Sequence, residues 1–234
     1  MQVLNELKIT KMNYSQYNVI IVAGGTGSRM QSTVPKQFIE IKGKPILIHT
    51  IEKFIEFDEF INVIVCVHKD YMTDANFMLA EYFPDKNIQI VIGGETRFHS
   101  VKNGLNCISN KNDVVGIHDA ARPFVSVETI KRCFETAAQK GNAIPISPIN
   151  ESLRMVTNGI NKAVRRDDYK IVQTPQCFIV SKIKEAFEQD YSPFFTDDAT
   201  VLEGMDETIH LVEGNFENIK ITNPYDLKFA ELYL

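Results

Sequence analysis

The chain has few cysteines and no long hydrophobic run. Its cysteines, Cys66, Cys107, Cys133 and Cys177, are scattered and form no Cys-x-x-Cys pair, so we expect reduced thiols rather than disulfides or a zinc site. No apolar run approaches the roughly 20 residues that cross a membrane. The amino terminus lacks the apolar core and the cleavage site of a signal peptide. These absences predict a cytoplasmic protein that does not associate with a membrane.

Positive charge is also in short supply. Lys and Arg number 25 against 30 Asp and Glu, which gives a net charge of −5, and no basic run is present. This balance argues against a nucleic-acid partner. An anionic ligand would have to be bound by a few well-placed cations. The length of 234 residues suits one large domain, which we assign to residues 12–234, after a flexible extension at residues 1–11.

The stretch from Val19 to Gln37 predicts a phosphate-binding site. Its apolar run, residues 19–22, is typical of a strand buried on both faces, and the run leads into Ala23-Gly24-Gly25-Thr26-Gly27. Glycines let the backbone turn sharply and approach a ligand. Two cations, Arg29 and Lys36, follow the glycines. A strand, a glycine loop and two cations together indicate a polyphosphate ligand.

Two common phosphate-binding motifs fit this stretch poorly. No window supplies the Gly-x4-Gly-Lys-Ser/Thr pattern of a Walker loop. The dinucleotide fingerprint is matched only at Gly25 and Gly27, and Met30 stands in place of the third glycine. An ordinary strand-to-helix turn remains an alternative for the glycines alone, but it does not account for the cations beside them.

Strands and helices alternate along the first two thirds of the chain. Apolar runs predict strands at 61–67, 88–92 and 114–118, and the segments between them have helical periodicity. This alternation predicts an α/β protein with a Rossmann-like, doubly wound and mostly parallel sheet. The glycine loop, Gly93-Gly94 and Asp119 all follow predicted strands, so we expect them to meet at one crevice beyond the carboxyl ends of the sheet.

The pattern changes between Pro145 and Gln176. Prolines and the turn pair Asn158-Gly159 separate short extended pieces, which predicts a β-arm at about 148–172. Such an arm buries little core of its own, so we expect it to pack on a second subunit and form a homodimer. After the arm we predict a helix at 181–190, strands at 209–212 and 218–221, and a last helix capped by Asn223.

Five motifs occur in an order that resembles the 2-C-methyl-D-erythritol 4-phosphate cytidylyltransferases of the non-mevalonate isoprenoid pathway. The resemblance extends from Asn18 to the carboxyl terminus and implies the nucleotidyltransferase variant of the fold. The motifs are AGGxGxRM with PKQ from Ala23, HDAARP from His118, QTPQ from Gln173, TDDA from Thr196 and NIKIT from Asn218.

The resemblance implies a reaction between two anions. A phosphate oxygen of methylerythritol phosphate attacks the α-phosphorus of the substrate CTP, and pyrophosphate leaves. That phosphate has a second pKa near 6, so it is ionised without a general base. Fixed cations and Mg²⁺ are therefore expected to catalyse the reaction by positioning the two phosphates and by stabilising the charge of the transition state.

The same resemblance assigns roles to individual residues. Arg29 and Lys36 are expected to hold the triphosphate, Lys220 to neutralise a reacting phosphate, and Arg166 on the arm to position methylerythritol phosphate in the partner subunit's site. Ser152 and Thr196 are expected to bind the same substrate. The expected nucleotide-binding residues are Ala23, Gly24, Gly25, Gly27, Gly94, Glu95, Ser100, Asp119, Ala120 and Arg122, with Asp119 also a candidate Mg²⁺ ligand.

Two departures from the family pattern bear on the substrate. The arm, which commonly has Asp-Thr-x-Lys, here has Glu151-Ser152-Leu153-Arg154, and Glu95 replaces an aspartate. The nearest rival is ribitol 5-phosphate cytidylyltransferase, a relative with the same fold, nucleotide and glycine loop. A broader rival is a sugar-1-phosphate nucleotidyltransferase that uses UTP or GTP. A non-catalytic, nucleotide-binding regulatory protein is a rival of another class. A dehydrogenase is disfavoured by the missing third glycine.

Overall fold

The structure is a computed structural model, and residues 16–25 and 35–234 are described from it. The expected extension at residues 1–11 lies outside the described residues. Within these two ranges the strands are β1 (Tyr17–Ala23), β2 (Glu40–Ile41), β3 (Lys44–Pro45), β4 (Asn62–Val67), β5 (Gln89–Ile92), β6 (Val114–Asp119), β7 (Asn142–Pro148), β8 (Arg154–Thr157), β9 (Ile160–Ala163), β10 (Lys170–Val172), β11 (Gln176–Ile179) and β12 (Leu211–Glu213). The α-helices of the described residues are α1 (Ile46–Phe57), α2 (Met72–Tyr82), α3 (Arg97–Leu105), α4 (Val127–Lys140), α5 (Val180–Ala186), α6 (Asp198–Glu203) and α7 (Pro224–Tyr233).

The central sheet has the order β10-β7-β11-β6-β1-β4-β5, with β12 also paired to β7. β6, β1, β4 and β5 run parallel, while β11 is antiparallel to both of its neighbours. The predicted mostly parallel α/β fold is therefore confirmed. β7 and β11 were not predicted as members of the sheet, because Pro145, Pro148 and Pro175 break up the apolar pattern there.

Both faces of the sheet are covered by helices, which explains the unbroken apolar run of β1. Val19 and Ile21 face a core shared with α1, α2 and α4, whereas Ile20 faces the opposite core with α3, α5 and α6. All three side chains are fully buried. A strand covered on both faces has no polar face, so its sequence reads as continuous rather than alternating.

Several helix ends form as local chemistry predicts. The Ser126 side chain accepts a hydrogen bond from the Thr129 amide at the start of α4, and Gly141 ends that helix with a φ of 97°. Asn223 forms a capping box at α7, with Pro224 in the first turn.

Other predictions were wrong in detail. The expected helix at 181–190 ends at Ala186. The expected strand at 209–212 is found at Leu211–Glu213.

The expected strand at 218–221 does not form. This segment lies beside the loop after β6, where the Ile221 amide donates to the Ala121 carbonyl at 2.8 Å and the Asn218 carbonyl accepts from Arg122. Contact with a loop supplies isolated hydrogen bonds and no continuous ladder. Lys220 therefore lies on an extended segment and not on a strand.

The predicted turn at Asn158-Gly159 is confirmed, with φ values of 50° and 79°. It joins β8 to β9 in a separate two-stranded sheet whose residues are all exposed. The carboxyl end of the expected arm returns to the main sheet, because β10 pairs with β7.

Candidate active site

A cavity of about 440 Å³ opens beyond the carboxyl ends of β1, β4, β5 and β6. Its volume lies in the range of small-molecule sites, and its position is the one expected for ligands of open α/β sheets. Ten of the predicted site residues line it: Ala23, Gly24, Gly25, Lys36, Gly94, Glu95, Ser100, Asp119, Ala120 and Lys220. The three chain segments expected to meet at one crevice do so.

One wall of the cavity is built by the turn that opens α3. The Gly94 amide donates to Ser100 Oγ at 3.0 Å, and that hydroxyl donates to the Thr96 carbonyl at 3.0 Å. A Cβ atom at position 94 would overlap His99, so glycine is required there. The buried Ser100 hydroxyl therefore fixes the backbone turn that lines this wall.

Gln37 fixes the segment that carries Lys36 and was not predicted as a structural element of the site. Its Nε2 donates to the Ala23 carbonyl at 2.7 Å, which fixes the short 3-10 helix Lys36–Phe38 against the end of β1. Lys36 Nζ donates to the Ile221 carbonyl at 3.2 Å, next to Lys220 in the chain. Both predicted lysines are thus brought to one side of the cavity.

Asp119 is the electrostatic centre of the site. Lys220 Nζ lies 2.9 Å and Arg122 Nε 3.3 Å from its Oδ2, and Arg97 Nε lies 3.4 Å from its Oδ1. Burial opposes ionisation of this carboxyl, but the charges of Arg97, Lys220 and Arg122 outweigh burial and hold its pKa well below the ordinary value. Asp119 is therefore a carboxylate that organises three cations.

A buried hydrogen-bond chain supports Asp119 from below. The Asp119 amide donates to Thr174 Oγ1 at 3.2 Å, and Thr174 lies 2.9 Å from His118 Nδ1. His118 Nε2 lies 3.1 Å from the Arg122 carbonyl, which can only accept, so Nε2 carries the proton and Nδ1 accepts. Burial lowers the pKa of His118 to about 3, so the ring is neutral.

Arg97 and Asp198 form an ion pair that sequence reasoning missed. Arg97 Nη1 and Nη2 each lie 2.7 Å from one oxygen of Asp198, whose side chain is 1% exposed. The sequence placed both acids in the TDDA motif and predicted no partner for either. Asp197 caps α6, whereas Asp198 pairs with Arg97. A signal for Arg97 was available, since it precedes Ser100 by three residues and so shares its face of α3.

Other predicted residues lie away from the cavity wall. Arg122 lies behind Asp119, where its Nη1 donates to the Asn218 carbonyl at 2.8 Å. Ser152, Arg166 and Thr196 are exposed; Arg166 Nη1 donates to the Asn150 carbonyl at 2.6 Å. Gly27 and Arg29 lie outside the described residues.

The described residues offer a metal ion little beyond Asp119. Within residues 16–25 and 35–234, no group of three or more His, Cys, Asp or Glu side chains is placed to hold a metal. Asp119 Oδ2 is engaged by two cations, whereas Oδ1 is contacted at 3.4 Å by Arg97. The residues thus fit an ion that takes at most one carboxylate oxygen here and the rest from substrate phosphates and water, as Mg²⁺ commonly does.

Sequence comparison matches the family of IspD, 2-C-methyl-D-erythritol 4-phosphate cytidylyltransferase, over residues 17–234. A relative with that name from Bacteroides fragilis is 49% identical over 215 residues, covering 92% of this chain and 98% of the relative. One from Bacteroides thetaiotaomicron is 46% identical over 217 residues, covering 93% and 99%.

Solved structures agree with the sequence comparison. A 4-diphosphocytidyl-2C-methyl-D-erythritol synthase from Anaerococcus prevotii superposes with a TM-score of 0.82 at 27% identity, covering 95% of this chain and 97% of that one. The 2-C-methyl-D-erythritol 4-phosphate cytidylyltransferase of Francisella tularensis gives 0.77 at 34% identity, covering 94% and 100%. The chain belongs to the 2-C-methyl-D-erythritol 4-phosphate cytidylyltransferase family.

Proposed function

We propose that this chain transfers CMP from CTP to 2-C-methyl-D-erythritol 4-phosphate in the non-mevalonate route to isoprenoids. The products are 4-diphosphocytidyl-2-C-methylerythritol and pyrophosphate. The observation that carries the proposal is the convergence of Lys36, Lys220 and Arg97 on a glycine-lined cavity at the ends of the parallel strands. Family membership supports the choice of nucleotide and acceptor.

The chemistry suits a site lined by cations, because the step needs no general base. An oxygen of the acceptor phosphate forms a bond to the α-phosphorus of CTP, and the bond between the α-phosphorus and the bridging oxygen breaks as pyrophosphate leaves. The acceptor is already ionised near neutral pH. His118 is fully buried, and both of its ring nitrogens are hydrogen-bonded, so it serves as a support and not as a base.

The lysines are suited to stabilise the charge that moves in this step. Lys220 uses one N–H on Asp119 at 2.9 Å, and an ammonium has three donors in all. The other N–H groups of this ammonium could donate hydrogen bonds to a reacting phosphate in the cavity. Lys36 lies across the same wall, where it would stabilise the triphosphate and the leaving pyrophosphate, together with Arg29.

We assign the opposite wall to the nucleoside. Ala23, Gly24, Gly94, Glu95 and Ser100 all line the cavity, and their main-chain groups would read cytosine and ribose. Mg²⁺ would be held by the triphosphate and by one oxygen of Asp119, and it would neutralise charge on the phosphates when bound.

We also propose that the enzyme is a homodimer joined by the arm. Val156 is 68% and Ile160 77% exposed on the β8–β9 hairpin, and Ile171 is 48% exposed on β10. A hairpin with exposed β-branched side chains gains stability by packing on a second subunit. Arg166 and Ser152 lie on this arm and would reach the partner's cavity to bind methylerythritol phosphate, as Thr196 would from the same subunit.

A cytoplasmic location stays a prediction. The four cysteines are unpaired, which suits a reducing compartment. No helix in the described part of the chain has the length and apolar character needed to cross a membrane.

The acceptor is tested by pyrophosphate release from CTP and Mg²⁺, with methylerythritol 4-phosphate and ribitol 5-phosphate in parallel. We expect faster release, at limiting acceptor, with methylerythritol phosphate. Preference for ribitol phosphate would keep the mechanism and reassign the substrate. Binding of CTP without release with either acceptor would favour the regulatory alternative.

A further inference from the structure

Arg97 connects two carboxylates that are far apart in the chain. Its guanidinium makes a two-pronged contact with Asp198, at 2.7 Å for each prong, and its Nε lies 3.4 Å from Asp119 Oδ1. The Arg97 side chain lies in the cavity wall and is 29% exposed. One arginine thus joins the start of α3, the start of α6 and the end of β6.

Asp198 is a fixed partner for this arginine. Gln176 on β11 donates to Asp197 Oδ2 at 2.8 Å and accepts from the Ala199 amide at 2.9 Å. Both neighbours of Asp198 are therefore tied to the central sheet, and its carboxylate is buried. A planar guanidinium that is paired through two prongs with a fixed carboxylate has a fixed orientation.

The orientation of Arg97 in turn sets that of Asp119. Arg97 contacts Oδ1 of this carboxylate, while Lys220 and Arg122 contact Oδ2. Rotation of the carboxylate would weaken contacts at both oxygens. The Lys220 ammonium ends a flexible side chain that is 37% exposed, so its position depends on how Asp119 is held.

We infer that Arg97, held by Asp198, is a positioning residue that orients Asp119 and thereby places the Lys220 ammonium for cytidylyl transfer. This inference rests on the proposed function. It differs from a purely structural role, in which the pair would only join α3 to α6. A positioning role predicts that the loss of Arg97 acts through Lys220, whereas a structural role predicts a loss that follows stability.

The first test is Arg97→Lys, which keeps the positive charge and removes the two-pronged contact. We expect kcat to fall about tenfold or more, since small misplacements of a catalytic group are costly, while KM for CTP changes by less than about threefold. Combined with Lys220→Ala, Arg97→Lys should cause little further loss, because the group that it positions is gone. The inference would be overturned if the double variant lost kcat by the product of the two single losses. It would also be overturned if Arg97→Lys kept the wild-type kcat.

A paired variant separates positioning from folding. Arg97→Gln with Asp198→Asn removes both charges together and leaves neither of them buried alone. We expect a melting temperature close to that of Arg97→Lys or higher, with kcat still reduced about tenfold or more. Recovery of wild-type kcat in this variant would overturn the inference.

A matched control lies on the surface. Arg132 pairs with Glu213 at 3.7 Å, and both side chains are exposed, so Arg132→Lys should leave kcat unchanged. The wild-type reaction with methylerythritol phosphate is measured alongside. If the wild-type protein does not catalyse this reaction, the result counts against the proposed function. If the wild type is active and Arg97→Lys is equally active, the result counts against the inference alone.

Discussion

At the residue scale, the site depends on a few cations around one carboxylate. The glycine loop, Lys36, Asp119 and Lys220 were predicted because each belongs to a contiguous motif. The Arg97–Asp198 pair was not, because the two residues are 101 positions apart in the chain and nothing local links them. The catalytic roles of Lys36 and Lys220 stay predictions. The same holds for the roles assigned to Arg29, Ser152, Arg166 and Thr196.

Removal of the Lys36 or the Lys220 side chain should slow the reaction strongly and leave the fold intact. We expect Lys36→Ala and Lys220→Ala each to lower kcat about a hundredfold or more, the scale observed when a preorganised charge stabiliser is lost. Turnover is measured as pyrophosphate release at saturating CTP. Lys131→Ala, at an exposed ion pair with Glu135, is the control, and near-wild-type turnover in either site variant would refute the electrostatic assignment.

The cysteines should differ sharply in reactivity. Burial raises the pKa of Cys66 to about 12 and also raises the pKa of Cys177, and Cys133 is buried as well. Because the thiolate is the reactive form, a disulfide reagent at about pH 8 should label Cys107 alone in the native protein. All four thiols should react in guanidinium chloride. Equal labelling of Cys66 and Cys107 in the native state would contradict the described packing.

At the scale of elements, long periodic segments were predictable and short ones were not. β1, α1 and α4 follow from apolar patterns and from caps that act within a few residues. The segment at 218–221 has a strand-like sequence, yet its neighbour is the loop at 121–122, so no ladder forms. β11 was not predicted as part of the sheet, because its place there depends on pairing with β6 and β7, which are distant from it in sequence.

Close packing between β6 and α4 gives a test of the fold at this scale. A Cβ atom at Gly116 would lie 2.8 Å from Phe134 Cζ, so Gly116→Ala should lower the free energy of unfolding by about 1–3 kcal/mol through overpacking. Urea unfolding measures the change. In a Phe134→Leu background the added methyl has more room, so the cost should shrink. Equal cost in both backgrounds would refute the described contact.

At the scale of the whole molecule, the cavity of the described chain is not lined by all of the residues that were predicted to contact the substrates. Ser152 and Arg166 lie on an exposed arm, away from the cavity wall. The sequence predicts the arm through its turn pair and prolines, and the packing of the arm on a second subunit stays a prediction.

Mixing two inactive variants tests whether the arm acts on the partner's site. Lys220→Ala lacks a cavity residue and Arg166→Ala lacks an arm residue, so a mixed dimer would contain one intact site. Random exchange of equal amounts should restore about a quarter of wild-type activity. Activity that stays at the mean of the two separate variants would contradict an arm that acts between subunits.

Cytidylyl transfer at this cavity can be followed by phosphorus NMR of wild-type protein with CTP, Mg²⁺ and 2-C-methyl-D-erythritol 4-phosphate. We predict that the acceptor's phosphomonoester signal is replaced by the coupled signals of a diphosphodiester, with one pyrophosphate formed for each CTP consumed. Release of CMP without incorporation of the acceptor, or unchanged spectra, would contradict the assignment of this cavity to cytidylyl transfer.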